Sequence, residues 1–257
     1  MIQWFVLLLG GAMGLSLALT SAMRPLSRKF GLVDHPGERK VHRAPTPNGG
    51  GVAIFIALWL PVWGLIALTY FLSRQGGFPW PPLQPYMAGA VARAGELGIV
   101  FLGAVIIWVL GLIDDRWGLS PWFRLMVQIG VALMLFASGF SISLYIDSAW
   151  IRGFVTVLWM VGLINSFNML DNMDGLSSGV ALIIASAFFV VCMQTDQTLI
   201  AVFLCCFVGA VGGFLFFNFP KASIFMGDSG GTVLGYCLAA MTLVFTFSQQ
   251  DRPYYPM

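Results

Sequence analysis

An all-α, polytopic bundle of transmembrane helices is the fold class this sequence predicts, and three observations predict it. The chain is 58% hydrophobic and only 9% charged, where a soluble domain is about 25% charged. Its apolar runs reach the length that crosses a hydrocarbon core of about 30 Å. Lys and Arg gather between those runs, as they do in the connections of bilayer proteins. The mean hydropathy is +0.86. A net charge of +2 is too small to argue for nucleic acid. The whole chain, 1–257, reads as a single membrane domain.

Eight spans follow in order, at 2–22, 51–72, 96–113, 121–140, 152–167, 176–193, 198–217 and 231–247. The first lacks a basic leading segment, so it reads as a span and not as a cleaved signal. Pro25, Pro36, Pro45 and Pro47 punctuate the first connection, Pro121 opens the fourth span and Pro220 follows the seventh. The fifth span is short, about 22 Å at 1.5 Å per residue. Either the bilayer thins there or the polar motif at its end is recessed. The 78–85 stretch, with Trp80 and four prolines, reads as interfacial. Ile142, Leu144 and Ile146 alternate with smaller or polar residues, which suggests a short strand. Gly10-x-x-x-Gly14 and Gly209-x-x-x-Gly213 fit close helix packing. Cys192, Cys205, Cys206 and Cys237 lie inside apolar runs and read as packing thiols.

Orientation follows from the cations. The 23–50 connection holds Arg24, Arg28, Lys29, Arg39, Lys40 and Arg43, which places it in the cytoplasm and the N-terminus outside. Alternation then puts nine basic residues inside and four outside. It also puts every acidic motif on the same, cytoplasmic side.

Those motifs carry the chemistry. A carboxylate in a membrane is expensive, about 2.5–3.5 kcal/mol at the bilayer centre, so five at span ends need a reason. Asp114-Asp115 is a pair that repels unless a cation stands near; the bland reading is a solvated helix end beside Arg116. Asn165, Asn168 and Asp171 recur at intervals of three, followed by Asp174-Gly175. Neighbours three apart meet on a helix surface, and Asn and Asp offer amide groups and metal-ligating oxygens. The bland reading is a polar connection with capping residues. Phe225-Met226-Gly227-Asp228-Ser229-Gly230-Gly231 reads as a loop opening a helix. Asp228 would be a metal ligand, and the backbone N–H groups could face phosphate. The bland reading is an N-cap. Lys40, His42 and Arg43 could clamp a pyrophosphate, or simply mark the cytoplasmic side. His35 and His42 read as surface residues. The pattern as a whole suggests a divalent metal and a phosphorylated substrate at a membrane surface.

With these residues in hand, the chain resembles the polyprenyl-phosphate N-acetylhexosamine-1-phosphate transferases, the glycosyltransferase 4 type that includes MraY and WecA/TagO. The resemblance runs from about Asp34 to Gly235. Asp34-x-Pro36-x-x-Arg39-Lys40-x-His42-x-x-Pro45-x-Pro47 is similar to the first cytoplasmic loop of the WecA/TagO branch. Asp114-Asp115 resembles the family's paired aspartates, 165–175 its Asn-Asp motif, and Phe225 with Asp228 its later loop. The resemblance implies transfer of a sugar 1-phosphate, N-acetylglucosamine 1-phosphate first, from a UDP-N-acetylhexosamine to undecaprenyl phosphate, releasing UMP. It implies Mg²⁺, or Mn²⁺, on Asp228 and Asp171. It implies Asp114 or Asp115 as the group that activates the lipid phosphate, and Asn165, Asn168, Asp171 and Asp174 at the nucleotide. Phe225 would meet the base, and Lys40 or Arg43 the phosphates. The setting implied is a bacterial plasma membrane, with a homodimer as one state.

Family members carry further spans and a histidine-rich loop toward the C-terminus. Met257 comes before any such loop, so the expectation is a shortened chain whose transfer is slow. Three alternatives stand beside the transferase reading: a phospho-MurNAc-pentapeptide transferase of peptidoglycan synthesis, an inactive binding fragment, and a membrane transporter. Acids at span ends on one side argue against the transporter, whose sites lie near the midplane at broken helices.

Overall fold

The computed structural model describes residues 2–34, 36, 45–75, 89, 91–142, 147–195 and 197–247. Lys40, Arg43, both histidines, the 78–85 stretch and residues 143–146 of the expected strand lie outside them. Eight long helices and one two-stranded ribbon make up the described fold. The helices are α1 (Ile2–Lys29), α2 (Gly50–Arg74), α3 (Ala94–Trp117), α4 (Pro121–Ala137), α5 (Ala149–Leu170), α6 (Leu176–Gln194), α7 (Thr198–Asn218) and α8 (Asp228–Phe247). The ribbon pairs β1 (Val33–Asp34) with β2 (Thr46–Pro47) antiparallel. By length and composition α1, α2, α3, α5, α6 and α7 can each cross a membrane. The eight-helix, polytopic bundle is therefore present, and α4 is an apolar helix of 17 residues.

Several boundaries differ from the sequence reading, each for a local reason. α1 continues through Pro25 to Lys29, because a proline near a helix end frees few carbonyls. α3 includes Asp114 and Asp115 in its last turn and stops at Gly118, whose φ of 65° few side chains adopt. Ser120 then caps α4 by accepting from the Phe123 N–H, with Pro121 in the first turn. α5 is 22 residues long, about 33 Å, so the short fifth span and the recessed motif argued from it do not hold. The helix carrying Asn165 runs on through Asn168 to Leu170, three residues past the expected end.

α8 is the centre of the bundle. It packs on α5 and α3 most extensively, then on α2. Every residue from Ser229 to Met241 is buried, as expected of a helix apolar all round. Small residues on its neighbours make that possible. A Cβ on Gly111 of α3 would stand 2.4 Å from the Ser229 Cα. One on Gly51 of α2 would stand 2.4 Å from the Gly230 nitrogen, and one on Gly235 of α8 itself 2.5 Å from the Leu163 oxygen of α5. Further along, the Tyr236 hydroxyl donates to the Val100 carbonyl at 2.8 Å, filling the space opposite Gly103.

α7 is the second buried helix, and α1 lies along it. Cβ atoms on Gly209 and Gly213 would meet the Leu9 and Met13 carbonyls at 2.5 and 2.7 Å. That small-residue pair therefore packs as the sequence predicts. The other pair does not: Gly10 and Gly14 have nothing within 4 Å of a Cβ. They lie on the α1 face turned away from α7.

Candidate active site

Four connections meet at one end of the bundle, and the acidic motifs ride on all of them but the first. The hub is the start of α8. Gly227, at φ 76°, delivers the chain into the helix. A Cβ there would fall 2.4 Å from Asn48 Oδ1 and 2.7 Å from Asp115 Oδ2. Both conformation and space therefore demand glycine.

Three successive N–H groups of this hub point at carboxylates. The Gly227 N–H lies near enough to Asp171 to favour its charged form. Asp228 N–H donates to Asp115 Oδ1 at 2.8 Å, and Ser229 N–H to Asp115 Oδ2 at 3.1 Å. Asp115, from the end of α3, thus caps α8 in place of a residue of its own chain segment. A negative charge at that position also complements the helix dipole. This corrects the expectation that these N–H groups face phosphate: protein carboxylates already occupy them. Asp228 is also not the N-cap; it is the first helical residue, and its side chain lies beside the Asn168 amide.

Asp114 is engaged from its own side. Its Oδ1 accepts the Leu119 N–H at 2.6 Å, and its Oδ2 forms an ion pair with Arg124 of α4. The same guanidinium lies 3.8 Å from Asp228 Oδ2. Arg124 is thus a cation between two of the acids. In the sequence Arg124 bears only on topology, although it follows Asp114 by ten residues across a tight turn. With Asp115 and Asp171 close enough to feel the same charges, four carboxylates share one neighbourhood.

Asp171 shows the consequence. Burial, then the negative charges of Asp115 and Asp228, push its carboxyl up to about 8, against the nearby Gly227 N–H, which lowers it. A raised carboxyl stabilises the fold while protonated. That stability is complete below the ordinary aspartate value of about 3.9 and is lost as pH rises through about 8. With divalent cations chelated, the thermal midpoint should therefore fall between about pH 4 and 8. Asp171→Asn should flatten that fall; an unchanged slope would remove Asp171 as its source.

The remaining predicted residues divide. Asp174 Oδ2 accepts the Ala222 N–H at 2.9 Å and so holds the α7–α8 connection. Asn218, missed in the sequence, does the same from beneath, accepting from Gly175 N–H at 2.8 Å and donating to the Ile224 carbonyl at 3.1 Å. Phe225 pairs by its backbone with Pro47 and Gly50, which brings the first connection to the hub. Asn165 turns away: its amide donates to Gln128 of α4 at 2.6 Å and to the Val161 carbonyl. It lies almost one turn farther from the end of α5 than Asn168 does.

As to a metal, the donor set is carboxylate oxygen, which suits Mg²⁺. Among the described residues no three acidic, histidine or cysteine side chains enclose an ion-sized site. Mg²⁺ commonly uses one or two carboxylates and fills its other positions with water and phosphate, so the arrangement fits an open site. Asp115 has three donors on its two oxygens and Asp114 is ion-paired. Asp171 and Asp228 retain the most free acceptor capacity.

Residues 97–246, from α3 to the end of α8, match the model of glycosyl transferase family 4. The chain belongs to this family. Its relatives include a Bacillus subtilis protein named "Probable undecaprenyl-phosphate N-acetylglucosaminyl 1-phosphate transferase", 31% identical over 89% of this chain and 59% of its own length. A "Decaprenyl-phosphate N-acetylglucosaminephosphotransferase" of Mycobacterium tuberculosis is 35% identical over 86% of this chain and 55% of its own. A Geobacillus kaustophilus "Phospho-N-acetylmuramoyl-pentapeptide-transferase" is 32% identical over 91% of this chain and 74% of its own. The chain thus spans little more than half the length of the first two.

Proposed function

We propose that this chain serves the transfer of an N-acetylhexosamine 1-phosphate, N-acetylglucosamine 1-phosphate first, from a UDP-sugar to undecaprenyl phosphate. A lipid-phosphate oxygen attacks the sugar-bearing phosphorus. The bond to the UMP phosphate breaks, and UMP leaves with the electron pair. The observation that carries the reading is the pair Asp171 and Asp228, open to a cation beside Arg124 at one end of a membrane bundle of this family.

Each residue then has a task. Asp228 and Asp171 would hold Mg²⁺, or Mn²⁺, which when bound neutralises phosphate charge and polarises phosphoryl oxygens. Arg124 balances Asp114 and Asp228 and stands where phosphate charge would collect. Asn168 orients the Asp228 carboxylate. Asp115 fixes the α8 start and so the direction in which Asp228 projects. Asp114, expected beside Asp115 to activate the lipid phosphate, aims Arg124. Asp174 holds the connection carrying Phe225, which would meet the nucleotide base. Lys40 and Arg43, outside the described residues, would add cations for the phosphates. Asn165 supports the α4–α5 contact.

Purified protein in liposomes with undecaprenyl phosphate and a panel of UDP-sugars tests this by release of UMP. UDP-N-acetylglucosamine should support Mg²⁺-dependent release. Solute flux without UMP would favour the transporter instead. UDP-MurNAc-pentapeptide belongs in the panel, because the Geobacillus relative is matched over 74% of its length; preference for it would move the reading to peptidoglycan synthesis. The setting proposed is the bacterial plasma membrane, with the site cytoplasmic, the N-terminus outside and a homodimer as one state. Single cysteines at Ser120 and Lys221, both at the acidic end and accessible, should label from the cytoplasm. Cysteines at Ser73 and Ser148 should label from outside. The reverse pattern would turn the site away from its nucleotide.

A further inference from the structure

We propose that Asn48 is a positioning residue for Asp115, and through Asp115 for the first turn of α8; this rests on the transferase reading above. Asn48 sits between Pro47 and Gly49, where the first connection passes the acid cluster. Its backbone already has its own partners. The N–H donates to the Leu32 carbonyl at 2.9 Å. The flanking Pro47 carbonyl and Gly50 N–H pair with Phe225 at 2.8 and 2.9 Å, and Gly51 N–H donates to the Met226 carbonyl at 2.9 Å. None of these bonds needs an asparagine side chain.

The side chain does something else. Its Nδ2 donates to Asp115 Oδ1 at 3.0 Å, the same oxygen that accepts the Asp228 N–H. Its Oδ1 is buried without a hydrogen-bond partner, in the corner formed with Gly227. An amide that leaves its acceptor unpaired there is held by its donor. Without that donor, the Asp115 carboxylate keeps only the two α8 N–H groups and is held less tightly in their plane. The Asp228 side chain, carried on the residue whose N–H is being held, would then lose its fixed direction. Misplacement of this kind lowers turnover more than binding.

Two measurements on the full chain in nanodiscs test it. In Asn48→Ala, amide exchange across 225–231 should rise by about 10-fold, because the Asp228 and Ser229 N–H bonds open more often. Unchanged exchange there overturns the proposal. In the transfer assay, Asn48→Ala should lower kcat by about 30-fold and change KM by less than about 3-fold. In an Asp115→Asn background the same substitution should change kcat by less than about 3-fold, since residues acting through one another are not additive. An equal loss in both backgrounds would show that Asn48 acts independently of Asp115 and overturn the proposal. If the unaltered chain releases no UMP, the transferase reading fails, and the exchange result still decides the role of Asn48.

Discussion

Replacing Asp228 by asparagine should lower sugar-phosphate transfer by at least about 10³-fold while leaving the protein folded and inserted. That factor is about 4 kcal/mol of transition-state stabilisation. The substitution is nearly isosteric, and the backbone N–H that binds Asp115 is untouched, so α8 keeps its start. What disappears is one negative charge and its ligand oxygens, at an acid 3.8 Å from Arg124 and next to the Asn168 amide. If Asp228 and Asp171 hold the metal between them, one carboxylate is not enough. The remaining activity should then need more Mg²⁺ than the unaltered protein does. Asp174→Asn is the comparison. Its carboxylate holds the Ala222 N–H, a bond that a neutral amide oxygen also accepts, so the loss should be about 10-fold or less. Normal turnover by Asp228→Asn would remove Asp228 from the site.

The sequence made the spans and the acidic motifs legible, because hydropathy and cost in the bilayer act on each segment alone. It also put the motifs together, and Asp115, Asp171 and Asp228 do share one end of the bundle. Which acid does what was not legible. Asp115 differs from Asp114 only by one position, yet one caps α8 and the other pairs with Arg124. That difference is a rotation of about 100° on α3, meaningful only once α8 and α4 are in place. Asn165 and Asn168 looked equivalent in spacing, but Asn165 lies a turn deeper, bonded to Gln128 of α4, while Asn168 stands beside Gly231 at the start of α8. Nor does hydropathy say which apolar helix is central. The run that became α8 looks like its neighbours; its burial depends on glycines of α2 and α3 that are remote in sequence. Lys40 and Arg43, outside the described residues, stay as the sequence reading left them.

Those glycines give the last expectation. Gly111→Ala adds one methyl group, which in an open helix would be favourable by about 0.5–1 kcal/mol. Gly162→Ala, on α5 with nothing within 4 Å of its Cβ, should behave that way and leave the protein as stable or more so. At Gly111 the same methyl would fall 2.4 Å from the Ser229 Cα and 2.5 Å from the Ser229 nitrogen. Both are backbone atoms in a buried turn, so no side chain can swing aside; α3 and α8 must part. Overpacking of this kind costs about 1–3 kcal/mol or more. Parting also stretches the bonds from Asp228 and Ser229 to Asp115, which are 2.8 and 3.1 Å long and tolerate little extension. Gly111→Ala should therefore lower the thermal midpoint and reduce transfer by about 10²-fold or more, although residue 111 touches no substrate. Equal midpoints for Gly111→Ala and Gly162→Ala in the same detergent would mean that α3 and α8 are not in contact there, and the site built on that contact would fall with it.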